Sequence, residues 1–178
     1  MDANVLNRTS MEKGKTMVFG GYEWLVLDVQ NDRALLITKE IVEKRTYNTT
    51  NEAVTWERCT LRAYLNDVFY NRFSDDEKQR IQDANLLNRN NPAYGTDGGQ
   101  PTCDKVFLLS IEEANTYFQN DLDPVAAYRV AARWWWLRSP GIGNHAAFVD
   151  KDGFVNVHGY RVDYAYTGVR PAVYLKIG

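Results

Sequence analysis

The residues best suited to chemistry lie near the C-terminus. His145 and His158 are the only histidines in the chain, and Ser139 and Cys103 are the nucleophiles that could pair with one of them. A histidine beside a serine or cysteine activates the oxygen or sulfur by taking its proton. No spacing in the sequence supports such a pair. There is no nucleophile elbow, no phosphate-cradling glycine loop and no pair of histidines at helical spacing. The run "DKDG", Asp150 to Gly153, opens as a calcium loop does, with alternating carboxylates ahead of a glycine. "FVNVHG" follows, and no distal Glu closes the shell. Asp and Gly between two alternating runs are instead the composition of a hairpin turn. Cys59 and Cys103 are too few and too far apart for a zinc pattern, and both are expected to be reduced and packed. These residues predict no catalytic group, no metal and no cofactor.

The segment that holds the histidines has a different logic. In "AAFVDKDGFVNVHGYRV" the alternation has period two, which predicts Val149, Val155 and Val157 inward and Phe148, Phe154, Asn156 and His158 outward. Val162 is out of phase with Val157, and Gly159 between them is what a β-bulge needs. Beyond the bulge Arg161 and Asp163 point outward, with Tyr160 at the corner. The outward set is aromatic, imidazole and amide where a solvated strand face would carry Lys, Glu, Thr and Gln. Such side chains suit recognition, because Tyr supplies contact area at low entropy cost and Asn adds hydrogen bonds. The alternative is that Phe148, Tyr164 and Tyr166 are core of a sheet covered on both faces. Arg138 in "WWWLRSPG" and Arg170 in "GVRPAVYL" are expected to be structural, each satisfying several backbone carbonyls among aromatic rings.

The elements that position this segment are legible in outline. "MVFGGYEWLVLDVQNDRALLITKEIV" predicts a β-hairpin, Met17 to Val29 and Arg33 to Thr38, turned by "QNDR". "TYNTTNEAVT" is a loop. Trp56, Cys59, Leu61, Tyr64, Leu65 and Phe69 recur at helical intervals behind Thr55 as N-cap. Ser74 with Glu77, and Ser110 with Glu113, are capping boxes that start two more helices. "NRNNPAYGTDGGQPTCD" predicts a long surface loop, "KVFLLS" a short buried strand, and "QNDLDPVAAYRVAAR" a loop with helical tendency. Hairpin, helices, strand, helix and a strand-rich C-terminal third make an α+β fold.

At 178 residues the chain is expected to be one domain. Its net charge of -2 and the lack of a basic stripe argue against nucleic acid as a partner. No window approaches the roughly 18 apolar residues of a membrane span, and "MDANVLNRTSMEKGK" lacks a signal-peptide core. Residues 1–14 are expected to be a leader or linker, and the chain as written is expected to be cytoplasmic.

"WWLRSPG", "AAFV", "DG" and "GVRPA" resemble the C-terminal segment of bacterial domains with the C-type-lectin-like fold of the formylglycine-generating-enzyme type, in particular the variable proteins of diversity-generating retroelements in bacteria and phage. "FGGYEWLVLDV", "TWERCTLRAYLN", "FSDDEKQRI" and "DKVFLLSIEEAN" resemble the rest of that domain, so the likeness runs from about residue 15 to 178. In that family a reverse transcriptase rewrites the C-terminal region through template adenines, mostly at Asn codons of the form AAY. The resemblance implies a ligand-binding domain over 15–178 with a hypervariable region at about 134–172, its partner a protein or other macromolecule. It implies scaffold at Trp135 to Gly141, Ala146, Ala147, Val149, Asp152, Gly153, Gly159, Val162 and Gly168 to Ala172. It implies ligand binding by Ile142, Asn144, His145, Phe148, Phe154, Asn156, His158, Tyr160, Arg161, Asp163, Tyr164 and Tyr166. Codons ending in a pyrimidine cannot encode Met, Lys, Glu, Gln or Trp. These make up 30 of the 178 residues, yet between Ile142 and Tyr166 Lys151 alone belongs to them. The "EPN" and "WND" motifs of calcium-dependent sugar binding are absent, and neither cysteine has the context of a formylglycine-generating enzyme. An enzyme of that type, another hydrolase, or a binding module with one fixed partner are the alternatives.

Overall fold

The computed structural model describes residues 11–178. The strands form two five-stranded sheets and a small ribbon. The first sheet begins with β1 (Thr16–Phe19), β2 (Tyr22–Val29) and β3 (Arg33–Thr38). The predicted β2–β3 hairpin is present, and the apolar run before it splits in two because Gly20 and Gly21 turn the chain between β1 and β2. Of the expected leader, residues 1–10 lie outside the described residues. Met11 is buried, the Gly14 N–H donates to the Val26 carbonyl at 2.9 Å and Lys13 pairs with Asp123, so 11–14 pack on the fold.

The helical segment 56–72 is less regular than its periodicity predicts. It runs through a 3-10 turn, Trp56–Arg58, then α1 (Thr60–Tyr64), a π turn, Leu65–Phe69, and another 3-10 turn, Tyr70–Arg72. Thr55 makes no side-chain cap; the Cys59 sulfur accepts from the Arg62 N–H at 3.4 Å instead. Within the π turn Asn66 works outward: its Nδ2 donates to the carbonyls of Arg62 and Val106, and its Oδ1 accepts from the N–H groups of Lys105 and Val106. That side chain holds the 105–109 segment, which is buried from Val106 onward. The segment forms only a bridge from Phe107 to Ala172 and not the predicted strand.

Both capping boxes form, at α2 (Asp75–Arg80) and α3 (Ile111–Phe118). α2 ends at Arg80, where the chain becomes extended in β5 (Ile81–Gln82) and β6 (Ala84–Leu86). β6 pairs with β7 (Thr102–Asp104), which takes the end of the predicted long loop. Asp104 is buried and fully engaged, accepting from Arg62, Trp56 and Thr102. Ala126–Arg129 forms a 3-10 turn, in line with the helical tendency expected there.

The C-terminal third is strand-rich, as predicted: β8 (Trp135–Pro140), β9 (His145–Val149), β10 (Val155–Arg161), β11 (Gly168–Val169) and β12 (Ala172–Lys176). β12 returns to the first sheet and pairs with β3, giving the order β1-β2-β3-β12-β5. With β4 (Glu43–Lys44), the others make a second sheet, β10-β9-β8-β11-β4. One hydrophobic cluster runs through both sheets and includes Trp24, Trp56, Trp135 and Trp136. The architecture is mixed α+β with strand predominating. α3 lies against β8 and β10. Its Phe118 meets Trp135 edge-on at 5.9 Å, which leaves the opposite face of β8, β9 and β10 for other side chains.

Candidate functional site

That opposite face is built on backbone geometry that its side chains do not supply. Asp150 Oδ1 accepts from the N–H groups of Asp152 and Phe154, and Gly153 sits at φ 88°, so "DKDG" closes the β9–β10 hairpin as a turn. Among the described residues no group of three or more His, Cys, Asp or Glu could hold a metal ion. At Gly159 the register between β9 and β10 shifts, φ is 77°, and a Cβ would stand 2.4 Å from the Ala146 carbonyl oxygen. Only glycine fits this bulge. It turns His158 and Tyr160 to the same side of the sheet.

Beneath the face the two arginines act as staples. Arg138 donates to Asn88 Oδ1, to the carbonyls of Leu87 and Leu108, and through both Nη atoms to Glu113, at 2.6 and 3.0 Å. Arg170 is fully buried and donates to the carbonyls of Thr38, Lys39 and Tyr128 while its guanidinium lies 4.7 Å over Trp135. Burial draws the Arg170 pKa down to about 10, which leaves it cationic at neutral pH. Of the residues expected to be scaffold, all but Asp152 are buried.

The expected ligand-binding residues are largely brought together. Tyr160 stands at the centre, 4.9 Å from Tyr164, 5.5 Å from Trp134 and 6.3 Å from His145 between ring centroids. His145 is 5.1 Å from His158, and Tyr164 is 5.6 Å from Tyr166. Arg161 and Asp163 form a bidentate pair beside them, at 2.8 and 3.1 Å, which holds the Asp163 carboxyl below the usual carboxylate range. Ile142 is exposed at the end of β8, its N–H donating to the His158 carbonyl. Asn144 is half-buried and reaches Asn51. Phe154 is 58% exposed at the turn and outside the ring network.

Two of the twelve differ from expectation. Phe148 is buried, because Trp134 stacks on it at 4.6 Å and covers the outward position that period two assigns. Asn156 uses its Oδ1 to accept from the Gly159 N–H at 2.9 Å, so it braces the bulge as well as facing outward. On the α3 side Val155 and Val157 are only half-buried.

Two rings of the network were not singled out from sequence. Trp134 precedes the predicted scaffold run, and its lone outward signal is that it alternates with buried Trp135. Tyr94 comes from the long polar loop and meets His158 edge-on at 5.8 Å. It is delivered by Asn91, a buried residue whose Nδ2 donates to the carbonyls of Pro140 and Val157 and whose Oδ1 accepts from Ala93 and Tyr94. The loop is therefore pinned to the sheet.

Neither Ser139 nor Cys103 is hydrogen-bonded to a histidine among the described residues. Ser139 is buried, its Oγ accepting from the Ile111 N–H at 2.9 Å. Cys103 lies on the β6–β7 ribbon and is exposed, contrary to the expectation that it is packed. Cys59 is buried, and burial pushes its thiol pKa up to about 12. A cleft of about 190 Å³ opens between Trp134, Tyr164 and Tyr166, and a polar groove of about 450 Å³ runs past Asn48, Thr55, Asp97 and Gly143. No described helix is long and apolar enough to cross a membrane.

A family model described as a domain of unknown function, DUF6273, matches residues 31–177. No curated protein and no solved structure gives a significant match. The chain belongs to the DUF6273 family.

Proposed function

We propose that this DUF6273 protein is a ligand-binding domain that takes a protein partner on the exposed ring network of its second sheet. On this reading the fold is C-type-lectin-like, of the formylglycine-generating-enzyme type, and the surface positions are diversified by a retroelement. The observation that carries the proposal is the separation of two roles within one segment. From Tyr94 through His158, His145, Tyr160 and Tyr164 to Tyr166 the rings form a continuous exposed or half-exposed row. The bonds that hold the sheet come from backbone, from Asp150, Asn91, Arg138 and Arg170, and at the bulge from Asn156. A surface that is aromatic and amide-rich, on a sheet held mainly by other side chains, suits changeable recognition of a macromolecule better than a deep pocket for a small one. The fold reading is supported by the pairing of N-terminal β3 with C-terminal β12, which sends the intervening chain out as an excursion bearing the second sheet.

Two experiments test this. Wild-type domain and the triple variant Phe154→Ala, His158→Ala, Tyr160→Ala are compared on a protein array. Binders retained by wild type and lost by a triple variant of nearly unchanged melting temperature are the expected result. A large stability loss would place these side chains in the core. For diversification, the DNA around the gene is expected to carry a reverse transcriptase and an adenine-rich near-copy of codons 134 to 172. Their absence from a complete genome would leave a binding module with one fixed partner.

A further inference from the structure

Within the ring network, the cleft between Trp134, Tyr164 and Tyr166 differs from its surroundings in charge. Its walls include Arg133 and Lys151, and no carboxylate lines it. Arg133 uses one N–H on the Tyr166 carbonyl, at 3.1 Å, and neither Arg133 nor Lys151 forms a salt bridge among the described residues. A third cation, Lys44, stands 5.4 Å from the centre of the Tyr166 ring. Thr167 also lines the cleft. It is 1% exposed, and its Oγ1 is buried without a hydrogen-bond partner. A buried hydroxyl left unpaired costs free energy. Two uncompensated cations beside apolar rings make a site where an anion is partly desolvated, so that charge-assisted bonds to it are strong.

From this combination we infer that the cleft is an anchor subsite for a carboxylate of the partner polypeptide. Arg133 and Lys151 meet the charge, and Trp134, Tyr164 and Tyr166 pack the attached carbon chain. The inference rests on the protein-binding reading of the face and adds the chemistry of one contact. A polypeptide is favoured over a nucleic acid because the net charge of -2 supplies no wider field for a phosphate backbone. The carboxylate is that of an Asp or Glu side chain or of a chain terminus, and the two sources share the same chemistry.

The test is an NMR titration of the isotope-labelled protein, following the Trp134 indole and Thr167 amide resonances. The probes are N-acetyl-glutamate α-methylamide for a side-chain carboxylate, N-acetyl-phenylalanine for a terminal one, N-acetyl-phenylalaninamide as the neutral control, and inorganic phosphate. Saturable shifts are expected with at least one carboxylate, about tenfold tighter than with the amide, and the tighter of the two identifies the source. Arg133→Gln and Lys151→Gln are each expected to weaken that probe severalfold. Thr167→Val, a control that removes an unpaired hydroxyl out of reach of the cleft, is expected to raise the melting temperature and leave the affinity unchanged. Equal binding of the amide, phosphate binding tighter than either carboxylate, or affinity indifferent to both cation variants would overturn the inference. If array binders still depend on Phe154, His158 and Tyr160 in that event, the carboxylate subsite alone fails and the protein-binding reading stands.

Discussion

Arg138 shows how much a single side chain can hold. It is 3% exposed and spends all three guanidinium nitrogens on Asn88, Glu113 and two carbonyls from different parts of the chain. Arg138→Ala would strand the Leu87 and Leu108 carbonyls and leave Glu113 without its partner. The expected loss is about 3 kcal/mol, discounted from a fully buried pair because Glu113 is partly solvated. In thermal unfolding this is a fall of roughly 6–12 °C; a neutral result would contradict the staple. The roles of both arginines were legible because a multi-donor cation set among aromatic residues has few other uses. For Phe148 the sequence leaves two readings open, outward recognition and core. Strand alternation places it outward correctly, but burial depends on Trp134 folding over it, a contact that no periodicity contains. Cys103 failed for the reverse reason, since a residue type that is usually buried falls here on a ribbon at the surface.

At the scale of elements, local chemistry was read best where it is self-contained. The capping boxes at Ser74 and Ser110, the Asp150 turn and the Gly159 bulge each depend on residues within a few positions of one another, and all four form. The 105–109 segment and the helix at 56–72 were read less well, because Asn66 couples them over about forty positions and reshapes both. The polar loop was foreseen, yet its part in the site was hidden in Asn91. The bulge carries a prediction. Gly159→Ala forces a Cβ toward the Ala146 carbonyl at positive φ and is expected to cost about 2 kcal/mol or more. Gly143→Ala, at φ 57° with nothing within 4 Å, is expected to cost about 1 kcal/mol. Chemical denaturation of the two variants compares them directly, and equal losses would mean that the close approach to Ala146 contributes nothing.

For the whole molecule, the central claim is that frame and display surface are separable. β12 ties the end of the chain to β3, Arg170 ties the same corner to Thr38 and Lys39, and one core joins both sheets. These contacts do not involve the exposed rings. The α+β class follows from the order of local patterns, whereas the pairing of β3 with β12 links residues too far apart for any pattern to specify. The most direct measurement randomises the codons of Ile142, Asn144, His145, Phe154, His158, Tyr160, Arg161, Asp163, Tyr164 and Tyr166 together to NNY and follows folding by thermal unfolding and protease resistance. Most members are expected to unfold cooperatively within about 5 °C of the parent. A control library at ten buried frame positions is expected to yield almost no folded protein. Comparable failure of both libraries would contradict the account, because it would make the outward rings part of the structure they are proposed only to decorate.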